Sequence, residues 1–202
     1  MKNNNVNLVG VLSTPIMEIE DKGIYQFNIN IERNSGIIDI LPCVINDKTL
    51  KVAEEDSNTY HFNNGDRVEI FGEFRSRNVF DDKGKSHLQL YVYVEKIALG
   101  ICTDNNEVKL TGTICKEIKT RKTPLGKQIA DLLLAVNRDN DKSDYLPGVA
   151  WNAGARILSD YKVGDKLNIT GRIQSRVYTK PNDPTEHTAY EISIKHFDKI
   201  ED

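Results

Sequence analysis

The chain has 202 residues, of which 39% are hydrophobic and 28% charged, with 13 Gly, 6 Pro and 3 Cys. That composition leaves enough apolar material for a core and excludes disordered and collagen-like chains, and no apolar run approaches the ~20 residues of a membrane helix. The net charge of −3 argues against polyanion binding by bulk charge but leaves room for a local basic face.

From the N-terminus, the run Leu8-Val9-Gly10-Val11-Leu12 is too short for a signal-peptide core. The three cysteines, Cys43, Cys102 and Cys115, form no CxxC and are odd in number, so a reducing cytoplasm is expected. Continuing along the chain, the same blocks return in the same order. Val6-Asn-Leu-Val-Gly10 lies over Val108-Lys-Leu-Thr-Gly112, and Asp39-Ile-Leu-Pro-Cys-Val44 over Asp144-Tyr-Leu-Pro-Gly-Val149. Gly65-Asp-Arg-Val-Glu-Ile70 lies over Gly164-Asp-Lys-Leu-Asn-Ile169, followed by Gly72 and Gly171, then Ser76-Arg77 and Ser175-Arg176. His87 and His187 open the last block of each half. Such order implies a tandem duplication of a unit of about 100 residues. The polar stretch Cys102-Thr-Asp-Asn-Asn106 reads as a connector between domains at 1–101 and 107–202. The seven residues from Gly100 to Asn106 span at most about 25 Å, so the two units must be neighbours. Residues 1–102 hold 11 Lys+Arg and 15 Asp+Glu, and residues 103–202 hold 16 and 15. The halves are therefore expected to do different jobs.

In the second unit, Val108, Leu110, Gly112 and Ile114 alternate with polar residues and predict a half-buried strand. Ile129–Val136 and Asp144–Trp151 predict two more. Asn152–Tyr161, with Ala153, Ala155, Ile157 and Leu158, predicts a helix. Lys166–Tyr178 and Thr188–Phe197 alternate at period two and predict the last two strands. Five strands with a helix between the third and fourth is the order of an OB-fold barrel. The expected fold is all-β, two tandem five-stranded OB barrels. Glycines 10, 72, 112 and 171 fall in mid-strand, where a small barrel must coil sharply.

Several blocks of the second half carry more than a fold. They are Arg121-Lys-Thr-Pro-Leu-Gly-Lys127, Leu134-Ala-Val-Asn-Arg138, Asp144-Tyr-Leu-Pro-Gly-Val-Ala-Trp151 and Tyr161-Lys-Val-Gly-Asp-Lys-Leu-Asn-Ile-Thr-Gly-Arg-Ile-Gln-Ser-Arg176, then Tyr178. In this order and spacing, Glu107 to Ile200 resembles the bacterial single-stranded DNA-binding protein family. The first half is similar to a diverged member. The resemblance implies sequence-independent binding of single-stranded DNA in replication, repair or DNA transfer, with no catalysis and no cofactor. Because the family brings four barrels together, it also implies a homodimer. The family's acidic-tipped tail has no counterpart after Ile200-Glu-Asp202, so partner recruitment through such a tail is not expected.

Single-strand binders line a groove with cations and aromatic faces. The first hairpin of the second unit supplies Lys116, Lys119, Arg121, Lys122 and Lys127, and other strand ends supply Arg138, Lys142, Arg172, Arg176 and Lys180. Period two places Tyr145, Pro147, Val149 and Trp151 on one face of the third strand, assigned outward, and Leu146, Gly148 and Ala150 on the inner face. Tyr145, Trp151 and Tyr178 stand where the family places base-stacking aromatics. The alternative for Trp151 is packing against the helix that follows. At the aligned positions the first unit has Ile40, Asn46 and Val79, and its first hairpin reads Glu18-Ile-Glu-Asp21. Tyr25, Phe74, Phe80, Tyr91 and Tyr93 remain as stacking or core residues, with Arg33, Arg67, Arg75 and Arg77 as cations. The first unit is therefore expected to serve mainly in assembly.

No enzyme site is expected. Lys83-Gly-Lys-Ser86 lacks the first glycine of a P-loop, with Val79 in its place, and falls between two strands. His61, His87, His187 and His196 have no metal-ligand spacing, and Asp183, Glu186 and His187 read as a surface turn. The competing reading is an OB pair acting as a protein-interaction module of a replication or mobile-element complex. RNA binding is a third, since OB grooves accept either polymer.

Overall fold

In the first half, alternating apolar residues build β1 (Asn4–Leu12), β3 (Ile24–Glu32), β4 (Ile38–Asn46), β5 (Arg67–Phe80) and β6 (Ser86–Leu99), with a two-residue β2 (Met17–Glu18) and a helix α1 (Asp47–Asp56). The second half repeats them as β7 (Asn105–Ile114), β8 (Lys119–Lys122), β9 (Gln128–Asn137), β10 (Ser143–Trp151), α2 (Ala153–Leu158), β11 (Lys166–Lys180) and β12 (Asp183–Ile200). The computed structural model describes residues 3–19, 22–56, 61–82, 84–139, 141–180 and 183–201.

Each half closes into a five-stranded OB barrel. β1 pairs with both β3 and β5, β3 with β4, β5 with β6, and β4 with β6 in parallel. β7, β9, β10, β11 and β12 repeat the circuit. Inward-facing Leu8, Ile29, Leu41, Ile70 and Val92 fill the first barrel, and Ile114, Leu134, Leu146, Leu167 and Ile192 the second, all fully buried. Leu50 and Ala53 of α1, and Ala155 and Leu158 of α2, add to the core from the helices. Closure needs close backbone approach: a Cβ on Gly10 would lie 2.3 Å from the Asn30 carbonyl oxygen, on Gly72 2.1 Å from that of Tyr93, and on Gly171 2.4 Å from that of Ser193. Gly72 and Gly171 each sit at a β-bulge.

Three local expectations change. The helix expected over 152–161 is six residues, Ala153–Leu158, because Asn152 has φ 50° and lies outside it. The basic hairpin contains its own short strand, β8, and β12 starts at Asp183, so Glu186 and His187 lie within a strand, His187 opposite Tyr178, and not in a surface turn. Val149 is only 1% exposed despite sharing the register of Tyr145, since it lies between Asp131 of β9 and Ser193 of β12.

The barrels are joined by β1 and β7, antiparallel from Asn4↔Leu110 to Val9↔Asn105. Val6 lies opposite Val108, its own repeat equivalent, so a local two-fold axis relates the halves. A reciprocal polar contact obeys the same axis. The buried Asp39 carboxylate accepts from Arg33 at 2.5 and 2.7 Å and from the Ser175 backbone N–H at 2.7 Å. Asp144 accepts likewise from Arg138 and, at 2.6 Å, from the Ser76 N–H. Each carboxylate is fully paired, which is the condition for keeping a charge in the interior.

Candidate nucleic-acid interface

The pleat of β10 decides the centre of the interface. Leu146, Gly148 and Ala150 point inward and are buried, while Tyr145 and Trp151 are 46% and 37% exposed, with Pro147 half-buried between them. Trp151 pairs with Ile129 across the β9 ladder, and Arg121 of β8 pairs with the same Ile129. The ladders thus bring the basic hairpin alongside Trp151. Its side chains Lys116, Lys119, Arg121, Lys122 and Lys127 are all exposed. The turn is closed by Thr123 N–H to Lys127 O at 2.9 Å, with Gly126 at φ 76°. Between this hairpin and α2 lies a cleft of about 300 Å³, lined by Thr120, Lys122, Gln128, Arg156 and Ser159 among others.

The cations are not equivalent. Arg121 makes a two-point ion pair with Asp131 at 2.6 and 3.1 Å, which holds its guanidinium charged and anchored. Two expected groove cations lie elsewhere. Arg138 has a side chain only 19% exposed and is committed to Asp144 and to the Ser76 carbonyl at 3.0 Å. Its proton is held more tightly than usual, chiefly by that Asp144 hydrogen bond. Arg172 is half-buried; burial and then the neighbouring Arg33 charge lower its pKa, and it donates to Gln174 Oε1 at 3.2 Å. Arg138 serves the contact between the barrels through the Ser76 carbonyl, whereas Arg172 lies at mid-strand in β11, near the Arg33 and Asp39 charges of the first barrel.

On the long β11–β12 hairpin, Arg176 is exposed, with its guanidinium 5.6 Å from the Tyr178 ring centre. The His187 ring also lies against Tyr178, 5.6 Å away and tilted by 33°. The side chain of Lys180 lies outside the described residues, as do Glu20 and Asp21 of the acidic hairpin and Lys83.

In the first barrel, Ile40 is 46% exposed, as is Tyr145 at the matching position. Asn46 is occupied otherwise: its Oδ1 accepts from the Thr49 N–H at 2.8 Å, starting α1, and its Nδ2 donates to the Tyr93 hydroxyl at 3.0 Å. Val79 is half-buried. Phe74 is core, at 1% exposure, whereas Phe80 is 72% exposed at the hairpin tip. Tyr91 and Tyr93 stand half-buried on the outer face of β6, each beneath a guanidinium, with Arg77 5.5 Å from the Tyr91 ring centre and Arg75 3.9 Å from that of Tyr93. The second barrel has Glu191 and Ser193 at these positions of its ladder. The sequence divides these tyrosines between core and groove, and their alternation with the buried Leu90, Val92 and Val94 is the signal that places them outward. Arg156 had no signal, since only folding brings α2 to the hairpin. Among the described residues, no group of three or more His, Cys, Asp or Glu is placed to hold a metal, and no helix is long and apolar enough to cross a membrane.

Residues 105–200 match the model of the single-strand binding protein family. Single-stranded DNA-binding protein 1 of Streptococcus pyogenes serotype M18 is 38% identical over 80 residues, 36% of this chain and 62% of that protein. The single-stranded DNA-binding protein of Streptococcus mutans serotype c is 36% identical over 36% of this chain and 49% of its own length. The chain thus spans about half to three fifths of the curated relatives it matches. Over 98% of its length it superposes on a deletion variant of the single-stranded DNA binding protein from Thermus aquaticus, covering 95% of that chain, with a TM-score of 0.77 and 21% identity. The wild-type Thermus protein gives a TM-score of 0.75 at 20% identity over 98% of this chain and 93% of that one. These two likenesses establish the fold of the whole chain as a pair of OB barrels.

Proposed function

We propose, on the premise that residues 105–200 are a member of the single-strand binding protein family, that the chain binds single-stranded DNA without sequence preference and without catalysis. The observation that supports this best is the exposure of Tyr145 and Trp151 on one face of β10, beside a hairpin with five exposed cations. Every base has a π-face, so stacking on aromatics tolerates any sequence, while the lysines meet the phosphates. The binding set is Lys116, Lys119, Arg121, Lys122, Lys127, Tyr145, Trp151, Arg176, Tyr178 and Lys180. Arg138 acts indirectly, by holding the barrels together, and Arg172 stands outside the binding set, half-buried against Gln174. The second barrel, 107–202, carries most of the binding, and the first, 1–101, serves chiefly in assembly. Two chains pair to bring four barrels together, in the cytoplasm, in replication, repair or DNA transfer.

The test is titration with labelled oligo-dT while following the fluorescence of Trp151, the one tryptophan of the chain. Quenching at sub-micromolar protein is expected. No binding at low salt would leave the protein-interaction module as the reading. Light scattering at micromolar concentration should give twice the mass of a single chain; the mass of one chain would rule out the four-barrel assembly.

A further inference from the structure

The local two-fold axis creates two barrel junctions with the same backbone contacts. At one, Ser76 of β5 meets Asp144 and Tyr145 of β10, with the Tyr145 N–H donating to Ser76 Oγ at 2.8 Å. At the other, Ser175 of β11 meets Asp39 and Ile40 of β4, with the Ile40 N–H donating to Ser175 Oγ at 3.1 Å. The side chains that surround these matched contacts are not matched. At the first junction, the exposed Tyr145 adjoins Ser76, which is flanked by Arg75 and Arg77 with their stacked Tyr93 and Tyr91. Tyr91 also lies beside the Arg138 guanidinium, and its hydroxyl helps to hold that charge. At the second junction, Ile40 adjoins Ser175, flanked by Gln174 and Arg176. Glu191 and Ser193 stand in place of the two tyrosines, and Glu191 accepts from Gln174 Nε2 at 2.7 Å. The aromatic of that arm, Tyr178, lies farther along it, beyond Arg176.

We infer that a single strand of DNA passes from the second barrel to the first at the Tyr145–Ser76 junction and not at the Ile40–Ser175 junction. The inference rests on the single-strand-binding reading above and adds a path to it. Leaving Trp151 and Tyr145, the strand meets Tyr91 and Tyr93 with their arginines, the combination of π-face and cation that single-strand grooves use. Beyond them it finds a groove of about 350 Å³ on the outer face of the first barrel, lined by Gln26, Asn28, Pro42, Arg77, Gln89 and Tyr91 among others. At the opposite junction the outer face of β12 offers the Glu191 carboxylate, a like charge to phosphate that also acts on Arg121, and Ile40 offers no ring. The first barrel therefore contributes through β5 and β6, where the positions aligned with Tyr145, Trp151 and Tyr178 carry no signal.

The test compares affinities of the full chain for oligo-dT of about 8 nucleotides, within the site of one OB fold, and of about 30, long enough for two. The unaltered protein should bind the longer oligomer more tightly. Tyr91→Leu and, separately, Arg77→Gln, whose side chain is exposed, should each lower the long-to-short affinity ratio, Tyr91→Leu by about fivefold or more. Ile40→Ala and Glu191→Gln should leave that ratio unchanged. Iodouracil-substituted long oligomers, irradiated on the unaltered protein, should cross-link to the peptide that contains Tyr91. An unchanged ratio in both first-junction variants, or equal losses at the two junctions, would overturn the one-sided path while leaving single-strand binding intact. If the unaltered protein binds neither oligomer, the single-strand reading fails, and the path with it.

Discussion

Asn46 and Trp151 occupy the same place at the end of a third barrel strand, and their fates differ. Asn46 turns its carboxamide to the Thr49 N–H and starts a ten-residue helix; Trp151 stays exposed on the strand, followed by a helix of six residues without a side-chain cap. The outer face of the last strand shows the opposite change, with Tyr91 and Tyr93 in the first barrel against Glu191 and Ser193 in the second. What both barrels keep is the closed circuit of strands, the bulge glycines and the buried Arg–Asp pair at the junction. Duplication followed by divergence has thus spared the parts that hold the two barrels together. The exposed or half-buried outer-face aromatics stand on different strands in the two barrels, β6 in the first and β10 in the second.

Four measurements sharpen or break this comparison. The largest effect is expected where the barrels are alike. Asp39→Asn and Asp144→Asn each leave a half-buried guanidinium without its counter-ion, and each should cost up to about 3–5 kcal/mol in urea unfolding. Losses below about 1 kcal/mol would put these pairs with ordinary exposed ion pairs, and a large inequality would break the two-fold argument. Next, Tyr145→Ala with Tyr178→Ala should weaken oligo-dT binding at least tenfold, since each lost stacking contact costs about 1–3 kcal/mol. Ile40→Ala with Val79→Ala should change it little, and equal losses would show that the aligned positions of both barrels carry DNA. Third, Gly10→Ala should destabilise by about 1–3 kcal/mol, because its Cβ would collide with backbone, the Asn30 carbonyl. Gly112→Ala should cost less, since its Cβ would meet the Val136 methyl at 3.0 Å and a side chain can give way. Equal costs would mean that the first barrel relaxes as easily as the second. The smallest effect concerns salt. With roughly four to six phosphate contacts, log K should fall by about 3–4 per log unit of salt. Reversing Lys119 and Lys122 should flatten that slope more than reversing Arg121, which is already paired with Asp131; an unchanged slope would move the DNA path off the hairpin.

Much of the chain was legible before folding because period-two alternation and mid-strand glycines are local signals. Val108, Leu110 and Ile114 announce β7 by spacing alone, and the returning Asp-x-Leu-Pro and Gly-Asp blocks announce two barrels. The exposure of Tyr145 and Trp151 follows from the pleat once β10 is placed. Val149 escaped the same rule, because its cover comes from strands on both sides and not from its own register.

The sequence by itself determined the duplicated OB unit, the inward and outward faces of its strands, and the basic character of the first hairpin of the second unit. Those properties depend on neighbours a few residues apart. Only the tertiary structure decided what each charge is for. Arg138 and Arg121 look alike along the chain. The pairing of β1 with β7 brings Ser76, 62 positions from Arg138, against Asp144, so that Arg138 becomes part of the joint. Arg121 is left at the surface. The same pairing sets Tyr145 against Ser76 of the other repeat. A contact between residues so distant in sequence has no local pattern to announce it, because it arises from the way two finished barrels meet.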